Sequence, residues 1–349
     1  VAGVDGVTIE NITARNALLN GFYWATVKGY RGSYLTAYNN GDYGVYAFDA
    51  VDGVLDHSYA TGSPDAGFYI GQCYPCDAIV NNVVSEYNGL GYSGTNSGGS
   101  LYITSSIFRN NKGGLAPNTL DSELLPPERE TFIIGNLIEN NNNYNSPATN
   151  STYLSYGNGV VIAGGNNNII KNNVIVDHDL YGVILTASMD VNYWPAHGNR
   201  VEKNLILSSR KADIAVSGVS NLANCFEGNY FNTSIPPGLQ ALNGCENNII
   251  PLSADLSGLW STIARLIYAN TGDFYQDDWR TLPAPEQQEN MPIMQEIIDA
   301  NDNGQYELGF YQYLPSFRNS VKPAVNVYED YKYTLKDVQL PQEAIKYLN

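Results

Sequence analysis

The amino-acid sequence predicts an all-β protein that winds as one solenoid of about nine coils. Two features that repeat along the sequence, together with the composition, predict this fold. A short strand motif returns at a nearly constant spacing, and a column of small polar residues keeps step with it. Gly (33) and Tyr (27) are abundant, and Asn-rich clusters such as IENNNNYNS favour strands and tight turns over helices.

The strand motif is Gly-apolar-x-apolar. Its first five copies begin at positions 21, 44, 67, 91 and 114, so the steps between them are nearly equal. Further copies begin at 159 and 182, and degenerate copies are DIAV at 213 and LQAL at 239. Such a period is too short for a strand-helix-strand unit but suffices for three short strands and their turns. Each coil is expected to pair in parallel with the next, about 4.8 Å along the axis.

The polar column lies upstream of each strand motif. Its distance from the outward residue of that motif is nearly constant, except after Asn136, where an Asn-rich insertion intervenes. Asn side chains at one turn position of a solenoid stack and hydrogen-bond from coil to coil. The column consists of Asn11, Ser33, His57, Asn82, Ser105, Asn136, Asn173, Asn204 and Asn229.

With these two columns the sequence resembles the right-handed parallel β-helix family, the pectate-lyase-like fold, over roughly residues 4–250. The resemblance implies a fold and no particular activity, because this fold hosts lyases, hydrolases, epimerases and inert adhesins. The catalytic signatures of pectate lyases and polygalacturonases do not occur at matching places. Of the epimerase signature Asp-Pro-His-Asp, only Pro64 and Asp65 remain, so no catalytic residue is carried over.

The repeat predicts two parts, a parallel β-helix over residues 1–250 and a C-terminal cap and tail over 251–349. The segment LSGLWSTIARLIYA has apolar residues at helical spacing and is typical of a capping helix. The segment IMQEIIDAND is expected to form a short helix, and the remainder through VNVYEDYKYTLKDV to lie as extended chain. Cap and tail together are expected to lie along the solenoid and protect its open sheet edges. The N-terminal coil has no evident cap, so further residues are expected upstream of Val1.

Three tyrosines form the most distinctive feature of the strand motif. Because side chains alternate along a strand, Tyr23, Tyr46 and Tyr69 all point outward, one coil apart. They form either a cross-strand ladder that stabilises the fold or a platform for the pyranose rings of a glycan. In pectate-lyase-like enzymes this face lines the substrate groove, so the resemblance implies ligand binding for these tyrosines. Asn118, after the fifth motif, is a further ligand-binding candidate.

The four cysteines divide into two pairs. Cys73 and Cys76 lie in one turn, in CYPC, and Cys225 and Cys245 lie about one coil apart. Two disulfides are predicted: Cys73–Cys76 within one turn, and Cys225–Cys245, whose sulfurs would meet if stacking brings their turns together. A redox dithiol would need a helix N-terminus, and zinc would need further ligands. Disulfides imply an oxidising compartment, so we expect an extracellular or cell-surface protein.

Candidates for catalysis and metal binding are few. His57 is either a turn residue or a general base near Asp65. Asp121 and Glu123, in the insertion at 117–130, either bind Ca²⁺ or act as an acid–base pair, unless they are simply solvated. Other acidic residues near the motif strands are Asp42 and Asp49.

Charge and hydropathy disfavour several classes of partner. With 18 basic and 35 acidic residues, the net charge is −17, which disfavours nucleic acid, anionic lipid and, without a bridging cation, polyanionic sugars. No run of about 18 apolar residues could enter a membrane.

Three hypotheses remain. The first is a non-catalytic extracellular protein that binds a polysaccharide or a cell-surface protein assembly through its tyrosines. The second is a polysaccharide lyase or epimerase that uses His57 or a tyrosine, with Ca²⁺ as a possible cofactor. The third is a purely structural solenoid. The missing signatures favour the first.

Overall fold

The computed structural model describes residues 1–149, 152, 155–217, 223–246, 327–334 and 338–348. In these residues the chain forms three parallel sheets of nine strands each. Every coil contributes one strand to each sheet, and each strand pairs with its counterpart one coil away. The predicted fold, a right-handed parallel β-helix of nine coils, is confirmed.

Each sheet takes one strand from every coil. The strands of the first sheet are β1 (Val7–Glu10), β4 (Lys28–Ser33), β7 (Val51–Asp56), β10 (Ala78–Asn81), β13 (Gly98–Thr104), β16 (Arg129–Ile134), β19 (Ile169–Lys171), β24 (Arg200–Glu202) and β27 (Cys225–Glu227). Those of the second are β2 (Thr13–Arg15), β5 (Thr36–Tyr38), β8 (Tyr59–Thr61), β11 (Val84–Glu86), β14 (Ile107–Arg109), β17 (Leu137–Glu139), β20 (Val174–Val176), β25 (Leu205–Leu207) and β28 (Tyr230–Phe231).

The third sheet carries the strand motif. Its strands are β3 (Phe22–Ala25), β6 (Val45–Phe48), β9 (Ala66–Gly71), β12 (Leu90–Thr95), β15 (Gly113–Asn118), β18 (Val160–Ala163), β21 (Tyr181–Thr186), β26 (Ala212–Ser217) and β29 (Ser234–Ile235). Between the seventh and eighth coils, β22 (Ser188–Met189) and β23 (Tyr193–Trp194) form a short antiparallel hairpin outside the coil stack.

Eight of the nine predicted motif strands lie in the third sheet, and the ninth does not. The segment LQAL forms a one-turn helix, Leu239–Leu242, and the ninth strand is the earlier pair Ser234–Ile235. The prediction was wrong because an apolar pair at spacing three fits a helical turn as well as a strand.

The interior of the solenoid is packed with large side chains. Trp24, Phe68, Tyr92 and Phe108 are buried inside the coils. Burial of such aromatic side chains contributes roughly 2–3 kcal/mol each.

Asparagine ladders hold the corners between sheets. Between the first and second sheets the ladder runs through Asn136, Asn173, Asn204 and Asn229. The backbone N–H of Asn136 donates to Oδ1 of Asn173 at 2.9 Å, and that of Asn173 donates to Oδ1 of Asn204 at 2.9 Å. Because both the backbone and the side-chain amides are buried, these bonds satisfy polar groups that water cannot reach.

The polar column predicted from the sequence combines residues from two neighbouring positions of this corner. The ladder position continues through Ser106 and Ser58, whose hydroxyls accept backbone N–H groups from the preceding coil. The residue just before it has a positive φ in every coil, including His57, Asn82 and Ser105. Asn tolerates this left-handed conformation and also stacks in ladders, so composition alone did not separate the two columns.

The described tail segments pack on two of the three sheets. The helix Val327–Thr334 places Tyr328 against Val54 and Ile79 of the first sheet. The 3-10 helix Gln342–Tyr347 packs Ala344 against the second sheet, where the Tyr347 hydroxyl donates to Glu139 at 2.7 Å.

The expectation of extended chain is wrong for 327–334, which is helical. The predicted capping helix around 259–267 and the predicted short helix IMQEIIDAND lie outside the described residues, and the boundary at 250 stays a prediction.

Both predicted disulfides are present. Cys73–Cys76 closes the turn after β9, and Cys225–Cys245 ties β27 to the chain after the helix Leu239–Leu242. None of the described helices has the length and apolar character needed to span a membrane.

Candidate functional site

The predicted tyrosine column lies on the outer side of the third sheet. Tyr23 pairs in register with Tyr46, and Tyr46 with Tyr69. The Tyr23 and Tyr46 ring centroids are 5.5 Å apart with planes inclined by 6°, and those of Tyr46 and Tyr69 are 4.6 Å apart at 17°. The regular coil length therefore produces a continuous aromatic stack, which we call the tyrosine face.

The three rings differ in exposure. Tyr23 is 39% exposed, Tyr46 is partly buried, and Tyr69 is fully buried. Tyr69 is covered by the insertion that follows β15, because its hydroxyl donates to both oxygens of Glu123, at 2.7 and 2.8 Å. Only the first two tyrosines of the column thus offer ring surface to a ligand.

A fourth tyrosine, which the periodic pattern does not contain, joins the face. The Tyr43 ring lies 4.7 Å from the Tyr46 centroid and 4.9 Å from that of Tyr69, tilted against both. It precedes Gly44, so it sits in the turn that leads into β6 rather than in a strand. The sequence shows Tyr43 three residues before Tyr46, in GDYGVY. The alternation of side chains along a strand does not apply to a turn, so the direction of the Tyr43 side chain could not be predicted.

Three partly exposed carboxyl groups border these rings: Asp42, Asp65 and Glu123. Their charges all act on Tyr46, whose pKa is raised, first by burial and then by Glu123, Tyr23, Asp42 and Asp65. Asp42 and Asp65 lie in the turns before β6 and β9, and Glu123 reaches in from the insertion. The tyrosine face therefore has an acidic border on both sides.

The pKa values of all three carboxyl groups are raised. Burial raises the pKa of Asp42 to about 6. Burial and then the charge of Asp42 raise the pKa of Asp65 to about 7, although hydrogen bonds from Tyr43 and Thr149 act in the opposite direction. Burial also raises the pKa of Glu123 to about 7, against the hydrogen bond from Tyr69. Near neutral pH these groups both donate and accept hydrogen bonds.

Two insertions frame the site. The first, between β15 and β16, is held by Asn96, whose Nδ2 donates to the carbonyls of Leu120 and Glu123 at 2.7 and 2.8 Å. Gln72 adds an acceptor for the Leu124 N–H at 2.9 Å. These bonds fix the loop that carries Glu123 over Tyr69.

The second insertion follows β17 and borders the opposite side. The Thr149 backbone N–H donates to the Pro64 carbonyl at 3.0 Å, and the Thr149 hydroxyl donates to Asp65 at 3.4 Å. The Asn-rich sequence of this segment gave no indication that it reaches Asp65, because its path is outside the repeat.

The structure places His57 and Asp65, the predicted catalytic pair, at different corners of one coil. His57 occupies the corner between the first and second sheets, where Nδ1 lies 3.0 Å from Asp56 and the ring stacks on Tyr34 at 5.0 Å. Asp65 occupies the next corner, with β8 between them. The positive φ of His57 marks it as a turn residue, so the two side chains are not brought together.

Asp121 and Glu123 also separate, although they are close in sequence. The Asp121 carboxylate accepts bonds from the Asn192 backbone, the Asn192 side chain and the Trp194 indole, at 2.7, 2.7 and 3.2 Å. Glu123 instead contacts Tyr69. In the part of the chain that the structure describes, no group of three or more His, Cys, Asp or Glu residues is arranged to hold a metal ion, and Ca²⁺ binding by this pair stays a prediction.

Asn118 lies at the end of β15, on the outer side two coils beyond Tyr69. Its Oδ1 accepts the Thr95 hydroxyl at 2.9 Å and its Nδ2 donates to the Ala116 carbonyl at 2.9 Å. Both polar ends are thus used within the sheet, and ligand binding by Asn118 stays a prediction.

Comparisons with known proteins identify no family for this chain. No protein-family model matches the sequence, and no curated protein matches it. Among solved structures, the chain is similar to the Azotobacter vinelandii mannuronan C-5 epimerase AlgE4 A-module, at 18% identity over 66% of this chain and 64% of that one, with a TM-score of 0.44. The chain therefore spans less than two thirds of that structure.

Two further structures give similar values. The Azotobacter vinelandii mannuronan C-5 epimerase AlgE6 A-module matches at 15% identity, with 67% of this chain and 74% of that chain covered. The periplasmic alginate epimerase AlgG matches at 13% identity, with 60% and 47% covered, and both TM-scores are 0.44. The class defined by the coils is the right-handed parallel β-helix.

Proposed function

We propose that this chain is an extracellular protein that binds a polysaccharide along the tyrosine face. The observation that carries the proposal is the stacked pair of Tyr23, which is 39% exposed, and Tyr46, which is partly exposed, with ring centroids 5.5 Å apart. Because the stacked rings cover one another's faces, a sugar would contact their outward edges, which are apolar, and their phenol hydroxyls, which can hydrogen-bond. Asp42 and Glu123, at the borders of the same face, would bind the sugar hydroxyl groups.

Two further features support the proposal. The described tail segments pack on the first and second sheets, whereas the tyrosine face belongs to the third. The two disulfides suit an oxidising, extracellular compartment, where polysaccharides are found.

The test is binding of a panel of hexasaccharides, both neutral and uronate, by titration calorimetry. Tyr23→Ala and Tyr46→Ala are each expected to weaken the binding of a glycan at least tenfold, equivalent to about 1.4 kcal/mol, because each removes one stacking ring. The matched control is Tyr230→Ala, which removes an exposed tyrosine from the second sheet. Equal losses in all three variants, or no binding by the native protein, would contradict the proposal.

A second candidate function is a carbohydrate-active enzyme. It is favoured by the carboxyl groups whose pKa values lie at about 6 to 7, because a carboxyl group that is protonated near neutral pH acts as a general acid. Asp65 and Glu123 are the proposed acid and base. Reducing-end and unsaturated-product assays, with and without Ca²⁺, test it. Turnover that Glu123→Gln abolishes while glycan affinity persists would establish this candidate.

A further inference from the structure

The charges around the tyrosine face bear on which glycan it accepts. All nine third-sheet strands are described, and none of them contains Lys or Arg. The carboxyl groups of Glu123, Asp42 and Asp65 all raise the pKa of Tyr46. A ligand on this face therefore meets acidic groups and no basic strand residue.

A polyuronate would carry a carboxylate on every sugar unit into this environment. Like charges at short range in a partly buried site repel strongly, because solvent screens them poorly. A neutral sugar has a hydroxymethyl group in the same place, which donates to a carboxylate and accepts from a protonated carboxyl group. At pH 7.5, above the pKa values of about 6 for Asp42 and about 7 for Glu123, both groups are mainly ionised, so they accept hydrogen bonds from a hydroxymethyl group and repel a carboxylate.

We infer that the tyrosine face selects a neutral, hydroxyl-rich polysaccharide, with Asp42 and Glu123 as the residues that reject uronates. This inference rests on the proposed glycan-binding function and adds the ligand class. Selectivity arises from what the two carboxyl groups exclude, whereas Tyr23 and Tyr46 supply affinity for either kind of sugar.

The experiment uses matched hexasaccharide pairs that differ only at carbon 6, mannan with mannuronate, glucan with glucuronate and galactan with galacturonate. Titration calorimetry is performed at pH 7.5 and low salt, once with EDTA and once with Ca²⁺. The neutral member of the pair that binds is expected to bind at least tenfold more tightly than its uronate in both conditions. The double variant Asp42→Asn/Glu123→Gln is expected to reduce this ratio at least fivefold, mainly by improving uronate binding.

Asp177→Asn is the matched control, because it removes the same charge from an exposed residue outside the tyrosine face, and it should leave the ratio unchanged. Uronate binding as tight as neutral binding, or made tighter than it by Ca²⁺, overturns the inference while leaving glycan binding intact. An unchanged ratio in the double variant also overturns it. Absence of binding by every member of the panel overturns the proposed function itself.

Discussion

Tyr23, Tyr46 and Tyr69 have the same side chain and the same outward direction, yet their environments differ. Tyr23 is 39% exposed whereas Tyr69 is buried beneath the insertion that carries Glu123. The repeat predicts direction, because alternation and coil spacing are regular. It does not predict exposure, which depends on insertions that follow no period. The structural-ladder interpretation thus fits the buried Tyr69, whereas the proposed sugar platform concerns only Tyr23 and Tyr46.

The acidic border of the site leads to a pH-dependent prediction for Asp65→Asn. Asp65 has its pKa raised to about 7, whereas an unfolded Asp releases its proton at about pH 4. The folded state binds more protons between these values, so the contribution of Asp65 to the free energy of unfolding falls as pH rises from about 4 to about 7. The variant should be more stable than the native protein at pH 8, by on the order of 1 kcal/mol.

Urea unfolding at pH 5 and pH 8 measures this effect. Asp177→Asn, an exposed change of the same charge, serves as the control and should retain the native pH dependence. Identical pH dependence in Asp65→Asn and the native protein would show that the pKa of Asp65 is not raised in the folded protein.

At the scale of elements, the corners between sheets are built from asparagine ladders, and His178 takes one of their positions. Nδ2 of Asn141 donates to the Phe108 carbonyl at 3.0 Å, and one coil on, Nε2 of His178 lies 3.3 Å from the Ile138 carbonyl. This bond requires the neutral tautomer with hydrogen on Nε2. Burial lowers the pKa of His178 to about 4, so the ring is a neutral substitute for Asn.

His178→Asn is therefore expected to reduce the acid sensitivity of the protein. The unfolded chain protonates His at about pH 6.5 and the folded chain only at about pH 4, so the native protein loses stability as pH falls between these values. From pH 7 to pH 4.5 the variant should lose less stability than the native protein, by on the order of 2 kcal/mol. Chemical unfolding at both pH values measures this loss.

The control is His197→Asn, a substitution at an exposed position. It should not alter the loss between the two pH values. A native-like loss in His178→Asn would mean that this imidazole is already protonated in the folded protein.

The repeat predicts most strands of the third sheet but not its last strand or the loop contacts. The sequence was sufficient to predict eight third-sheet strands, because Gly-apolar-x-apolar repeats in seven of them and its degenerate copy DIAV marks the eighth. The last strand and the helix Leu239–Leu242 were interchanged, because neither keeps the full motif. Asp121 and Glu123 were predicted as a pair from adjacency alone, but a loop turns successive side chains toward different partners, here Asn192 and Tyr69.

At the scale of the whole molecule, the solenoid follows from the sequence repeat, whereas the site depends on residues outside the repeat. The fold and the tyrosine register follow from the short, regular period of the strand motif, which the sequence displays openly. The site needs Tyr43, Thr149 and Glu123, which come from a turn and two insertions. Long-range contacts of this kind leave no periodic trace, so they required the structure. A net charge of −17 is consistent with a ligand that is not itself acidic.

The most direct test of the central claim is a nuclear magnetic resonance titration of the protein labelled with ¹³C in its tyrosine rings. The resonances of Tyr23 and Tyr46 are assigned from the Tyr23→Phe and Tyr46→Phe variants, and a neutral hexasaccharide is added. Glycan binding on the tyrosine face predicts that these two signals shift together and saturate, whereas that of Tyr230 stays unchanged. Saturable shifts confined to tyrosines elsewhere, with Tyr23 and Tyr46 unmoved, would contradict it.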